Sequence, residues 1–155
     1  MKRLFVLSMV LMFSVIGIMA KGDKLPEYDI TGAGSGTEGT LLVKVYVYAK
    51  KVTDNDLKRA AVHGVVFRGC TGNQSGARQP AMAPSTAEAD NAAFCEAFFA
   101  ADGQCVNYAS IVAGSYDVVK TSKGYKSGAI LQVNKSALRK ELEKAGVVRS
   151  LSSGF

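Results

Sequence analysis

"TLLVKVYVYAKK", residues 40–51, decides the fold. Leu41, Val43, Val45, Val47 and Ala49 alternate with Leu42, Lys44, Tyr46, Tyr48 and Lys50. A period of two, carried by β-branched and aromatic residues, is the pattern of a half-buried strand. Its valine face must meet a core. Its tyrosine–lysine face is left for solvent, for a covering layer or for a partner.

The elements on either side follow from local signals. "TDNDLKRAAVHG" begins with Thr53 as a cap and Asp54 and Asp56 in the first turn, where helix N-termini favour negative charge. Leu57, Ala60, Ala61 and Gly64 fall on one helical stripe, small enough for close approach to a sheet, and Gly64 is the expected helix stop. "VVFRGC", residues 65–70, is expected to be a short second strand. Residues 71–86 have no apolar period and are expected to form a long loop. Ser85 and Glu88 have capping-box spacing ahead of "AEADNAAFCEAFFAADG", which is expected to be one helix burying Phe94, Cys95 and Phe98. Its acids Glu88, Asp90, Glu96 and Asp102 solvate it.

"CVNYASIVAG", "SYDVVKTSKG" and "YKSGAILQVN" then supply strand material with short, antiparallel connections. Asn134 caps "KSALRKELEKAG", with Leu138, Leu142 and Ala145 as its apolar stripe and Gly146 as its stop. Arg139 with Glu143, and Glu141 with Lys144, are spaced as surface pairs. The tail is expected to dock through Val147, Val148 and Phe155. The sum is an α+β fold: a mainly antiparallel sheet of about four or five strands with helices packed on one face.

The N-terminus bounds where the protein acts. "MKRLFVLSMVLMFSVIGIMA" has a basic start in Lys2 and Arg3, an uncharged apolar run, and the small Ala20 at its end, the layout of a secretory signal peptide. The expected organisation is a signal peptide at 1–20, a glycine-rich leader at 21–39 holding a short strand at Tyr28–Thr31, and a single domain at 40–155. The protein is therefore expected in the periplasm or outside the cell, with membrane association only if the N-terminal segment is retained. Setting that segment aside leaves 17 basic against 13 acidic residues, a net +4, too modest to argue for nucleic acid.

Three cysteines, Cys70, Cys95 and Cys105, are too few for a disulfide framework. Cys95 with Cys105 is one pairing an oxidising compartment permits, and Cys70 with Cys105 is another.

"TGAGSGTEGT", residues 31–40, contains a literal G-x-G-x-x-G at Gly34, Gly36 and Gly39. A phosphate cradle needs a helix immediately after the glycines. Here a strand follows, so the glycines are expected to serve a turn or bulge that brings Thr40 and Leu41 to a sheet edge, and no cofactor is expected. His63 is the only histidine, so no His-rich metal site is expected, and it is expected on the surface near a helix end. No G-x-S-x-G, H-E-x-x-H or C-x-x-C occurs, and no catalytic residue is assigned. The surviving candidates are surfaces: Lys44, Tyr46, Tyr48 and Lys50 on the strand's outer face, and Arg68 with Arg78 beside the long loop.

"YDITGAGSGTEGTLLVKVYVYAKKVTDNDLKRAAVHGVVFRG" and "GYKSGAILQVNKSALRKELEKAG" together resemble small envelope α+β domains of Gram-negative bacteria. SIMPL-type domains, small outer-membrane lipoprotein domains and flagellar-assembly domains are of this kind, as are small secreted proteins of Gram-negative anaerobes. The resemblance implies an envelope-associated binding or assembly role with an unidentified envelope protein partner, and it brings no catalytic residues. The alternatives are a small envelope hydrolase with a site near Cys70 and His63, and a polyanion- or lipid-binding surface using Lys44, Lys50, Lys120, Lys123 and Lys126.

Overall fold

The computed structural model describes residues 24–72 and 78–151. Residues 1–20, where a signal peptide is expected, residues 73–77 of the long loop, and Phe155 lie outside the described residues. A five-stranded antiparallel sheet is built from β1 (Glu27–Ser35), β2 (Thr40–Tyr48), β3 (Ala109–Ile111), β4 (Asp117–Thr121) and β5 (Gly124–Asn134). Among the described residues four α-helices accompany it: α1 (Asp54–His63), α2 (Ala87–Asp90), α3 (Ala92–Phe98) and α4 (Lys135–Lys144). The expected α+β class is the observed one.

The spatial order is β1-β2-β5-β3, with β4 also on β5. β3 pairs with Leu131–Val133 and β4 with Gly124–Gly128, both on the edge of β5 that β2 leaves free. They act as one interrupted edge strand. In the gap, the Ser115 hydroxyl accepts from the Ile130 N–H at 3.0 Å, replacing a missing ladder partner.

The valine face of β2 is the core face. Val43, Val45 and Val47 are buried beside Ala129, Leu131 and Val133 of β5, under Leu57, Ala60 and Ala61 of α1. Thr53 and Asp56 cap α1 reciprocally. The Asn134 side chain caps α4 by accepting from the Ala137 N–H at 3.0 Å. The expected surface pairs of α4 form at 3.7 Å for Arg139–Glu143 and 3.8 Å for Glu141–Lys144. Val147 and Val148 of the tail are buried.

Several local expectations are corrected. Gly64 does not stop α1: its backbone is right-handed helical, and the chain continues through a π-helical turn, Gly64–Arg68, in place of the expected strand. A Cβ at Gly64 would lie 2.6 Å from Ile30 Cδ1 and 3.2 Å from Tyr28 Cε2, so this glycine serves close helix–sheet approach. The actual stop is Gly69, at φ 68°. The single helix expected after residue 86 is broken at Asn91 into α2 and α3, and no side-chain cap forms at Thr86 or from Ser85. "CVNYASI" is mostly a 3-10 turn, Gln104–Tyr108, before the short β3.

Residues 27–35 of the expected leader form a full edge strand, which places β2, with Thr40 and Leu41, inside the sheet. The glycine motif becomes a register shift between Gly32 and Gly34, with Gly34 at φ 126°, and a tight turn closing on Gly39 at φ 77°. The late part of the long loop is not peripheral. Met82 and Ala83 are buried, and the Ala83 N–H donates to Val66 O at 2.9 Å.

Candidate functional site: the open face of the sheet

The polar residues of β2 point away from the helices, and among the described residues no element packs over them. On this outer face, register places Asp29 of β1, Tyr46 of β2, Gly128 of β5 and Asp117 of β4 in one row across four strands. Gly128 makes the row possible. A Cβ there would lie 2.5 Å from Tyr46 Cδ1, so the Tyr46 ring lies flat across the glycine.

The side chains form a linked network. Tyr46 Oη donates to Asp117 Oδ2 at 2.6 Å, and Lys44 Nζ lies 3.4 Å from the same oxygen. Tyr48 Oη donates to Asp29 Oδ2 at 2.5 Å. Lys126 Nζ sits 3.7 Å from that carboxylate oxygen and 4.5 Å from the Tyr46 ring centre. Tyr46 thus has the Asp117 carboxylate and two ammoniums, Lys44 and Lys126, beside it, and Tyr48 has Asp29 and Lys126, an amphipathic surface with its charges already paired.

The electrostatics agree with that geometry. The Tyr46 hydrogen bond, then Lys44, holds the Asp117 carboxyl below its usual range. Contact with Tyr46 and then Asp117 raises Lys44, and Tyr48 and then Asp29 raise Lys126. The hydrogen bond to Asp29 raises Tyr48. These contacts favour the charged forms of Lys44, Lys126 and Asp117 and the protonated form of Tyr48.

Of the sequence candidates, Lys44, Tyr46 and Tyr48 stand together here. Lys50 is exposed beyond the end of β2 and does not join them. Asp29, Asp117 and Lys126 complete the network from other strands, and no local pattern singled out the two acids. Lys120 and Lys123 are exposed at the β4–β5 turn. Arg68 and Arg78 lie elsewhere, at the outer edge of β1, where they line a cavity of about 390 Å³.

His63 is not the surface residue expected. Its side chain is only 12 % exposed. Tyr28 Oη lies 2.6 Å from Nδ1, and Glu88 Oε1 lies 3.1 Å from Nε2. Phe67 and Phe99 pack against the ring. Burial pushes the Tyr28 hydroxyl far above its ordinary pKa, so it is held protonated. The trio ties β1, α1 and α2 together.

Cys70, Cys95 and Cys105 are free thiols, each buried, and Cys95 and Cys105 are not bonded to one another. Burial raises all three, Cys105 to about 11, which disfavours the nucleophilic thiolate. No hydrogen bond joins His63 to Cys70 among the described residues. No group of three metal-ligating side chains occurs among them, and no helix among them is long and apolar enough to cross a membrane. Comparison with protein-family models, curated proteins and solved structures finds no match.

Proposed function

We propose that this protein is an exported, non-enzymatic binding or assembly module of the bacterial cell envelope, and that it docks an envelope protein through the open face of its sheet. The observation that carries the reading is the row Asp29–Tyr46–Gly128–Asp117 with Lys44, Tyr48 and Lys126 around it. Tyrosine supplies rigid contact area at low entropic cost, and pre-paired charges avoid the penalty of burying an unpaired ion. The signal-peptide pattern of residues 1–20 supports export.

The test is crosslinking and pull-down from envelope extracts with the full chain and with Lys44→Glu/Tyr48→Ser/Lys126→Glu. The wild type is expected to recover a discrete partner that the triple variant loses while keeping its fold. Equal recovery by both proteins, or no partner where other envelope complexes survive, overturns the reading. N-terminal sequencing of the exported protein is expected to begin at Lys21.

A further inference from the structure

The outer edge of β1 carries a second feature, which shares only Asp29 with the open face. Residues 69–72 and 78–81 fold beside this edge. The Gly32 N–H donates to Thr71 O at 2.9 Å, and Cys70 and Gln79 exchange both backbone bonds, at 2.9 and 3.0 Å. Gly69 lets the strap close: a Cβ there would lie 2.5 Å from Gln79 O and 2.7 Å from Ala81 N.

Two hollows flank Gln79. The first, about 390 Å³, takes Arg68 and Arg78 in its wall. The second, about 440 Å³, takes Lys135, Ser136 and Arg139. Four cations thus border two cavities that share one wall residue.

Among the described residues, one of the four cations has an internal carboxylate partner. Asp29 is the single acid lining either hollow, and its carboxylate is engaged by Tyr48 and Lys126 on the outer face. Glu143 pairs with Arg139 at 3.7 Å. Arg68, Arg78 and Lys135 have no carboxylate partner among the described residues. Arg68 is also pre-oriented: its guanidinium lies 4.2 Å over the Tyr28 ring, and Nη1 donates to Tyr28 O at 3.2 Å. A planar fork held this way, with further N–H groups to spare, suits bidentate recognition of a phosphate or carboxylate.

We propose that the paired hollows around Gln79 bind an oligoanion, a ligand with at least two phosphate or carboxylate groups, one held by Arg68 and Arg78 and the other by Lys135 and Arg139. Lys44 pairs with Asp117, which lines neither hollow, so Lys44→Glu leaves the site intact.

The experiment titrates the full mature chain, by calorimetry or NMR at low salt, with tripolyphosphate in one arm and trigalacturonate in the other. Saturable one-to-one binding of at least one is expected, and the arm that binds assigns the anion as phosphate or carboxylate. Arg78→Gln/Lys135→Gln is expected to weaken binding roughly tenfold or more. Lys120→Gln/Lys123→Gln removes the same charge from the β4–β5 turn and is expected to leave affinity within about twofold. Arg68→Lys keeps the charge, loses the fork, and is expected to weaken binding several-fold. Arg78→Gln alone, at an exposed position, provides the readout if the double variant is unstable. Failure of both anions to saturate the protein, or equal losses in the two double variants, overturns the proposal.

Discussion

Gly128→Ala tests the packing that organises the open face. Gly128 does not have positive φ, so alanine is allowed by the backbone and the cost is one of space. The new Cβ would lie 2.5 Å from Tyr46 Cδ1 and 2.6 Å from Val45 O. The ring can swing away, but the carbonyl belongs to the neighbouring strand and moves only with the sheet. Overpacking of this kind costs about 1–3 kcal/mol. Lifting Tyr46 also breaks its 2.6 Å bond to Asp117. Alanine's lower unfolded-state entropy returns about 0.5–1 kcal/mol. The net expectation is a loss of about 1–2 kcal/mol, or roughly 3–8 °C in Tm for a domain of this size. Urea unfolding followed by circular dichroism measures it as a lower midpoint at unchanged slope. In the cycle with Tyr46→Ala, the two substitutions are expected to couple by about 1 kcal/mol or more. A Gly128→Ala protein within about 0.5 kcal/mol of wild type refutes the reasoning.

Two further outcomes are expected. Arg59 is 2 % exposed, and its Nε donates to Phe99 O at 2.9 Å, linking α1 to the end of α3. Arg59→Ala leaves that carbonyl and the packing around the side chain unsatisfied, and is expected to cost about 3–4 kcal/mol in urea unfolding; a loss under about 1 kcal/mol contradicts the anchor. Cys105 has a folded pKa near 11 against an ordinary value of 9.0. The folded state holds its proton more tightly, so this contribution is complete below about pH 9 and is lost as pH rises through about 11. The urea midpoint of wild type is expected to fall faster over that window than that of Cys105→Ala, and parallel curves would remove Cys105 from the account.

Much of the architecture was legible because it rests on local physics. Alternation in β2 and β5, the Thr53 cap of α1 and the Asn134 cap of α4 act within a few residues, and each formed where expected. The misreadings share a cause. Gly64 has the local appearance of a helix stop, but its use is set by Ile30 and Tyr28, more than thirty residues away. Val65 and Val66 have strand propensity, yet they are buried in a helical turn that Met82 and Ala83 cover.

The candidate surface divides in the same way. Lys44, Tyr46 and Tyr48 share a face because the strand period requires it. Asp29 arrives through one hairpin and Asp117 and Lys126 through another, and only the register of three strand pairs brings them together. His63 is buried against the local expectation because its partners, Tyr28 and Glu88, come from elements 35 residues before it and 25 after it.

The order of the strands also determines how the chain must find its fold. β1 pairs with β2, and β3 and β4 pair with β5, at sequence separations of about two dozen residues or fewer. The β2–β5 ladder joins residues 80 to 94 apart, from Val47↔Ser127 to Thr40↔Asn134. Two hairpin units can therefore form early and cheaply, whereas the seam between them must close a long loop before its contacts repay the entropy. Docking of β2 on β5 is the step this topology is expected to make slow, so substitutions along the seam, such as Val45→Ala opposite Ala129, are expected to lower the refolding rate in stopped-flow experiments more than substitutions on the outer edge of β1.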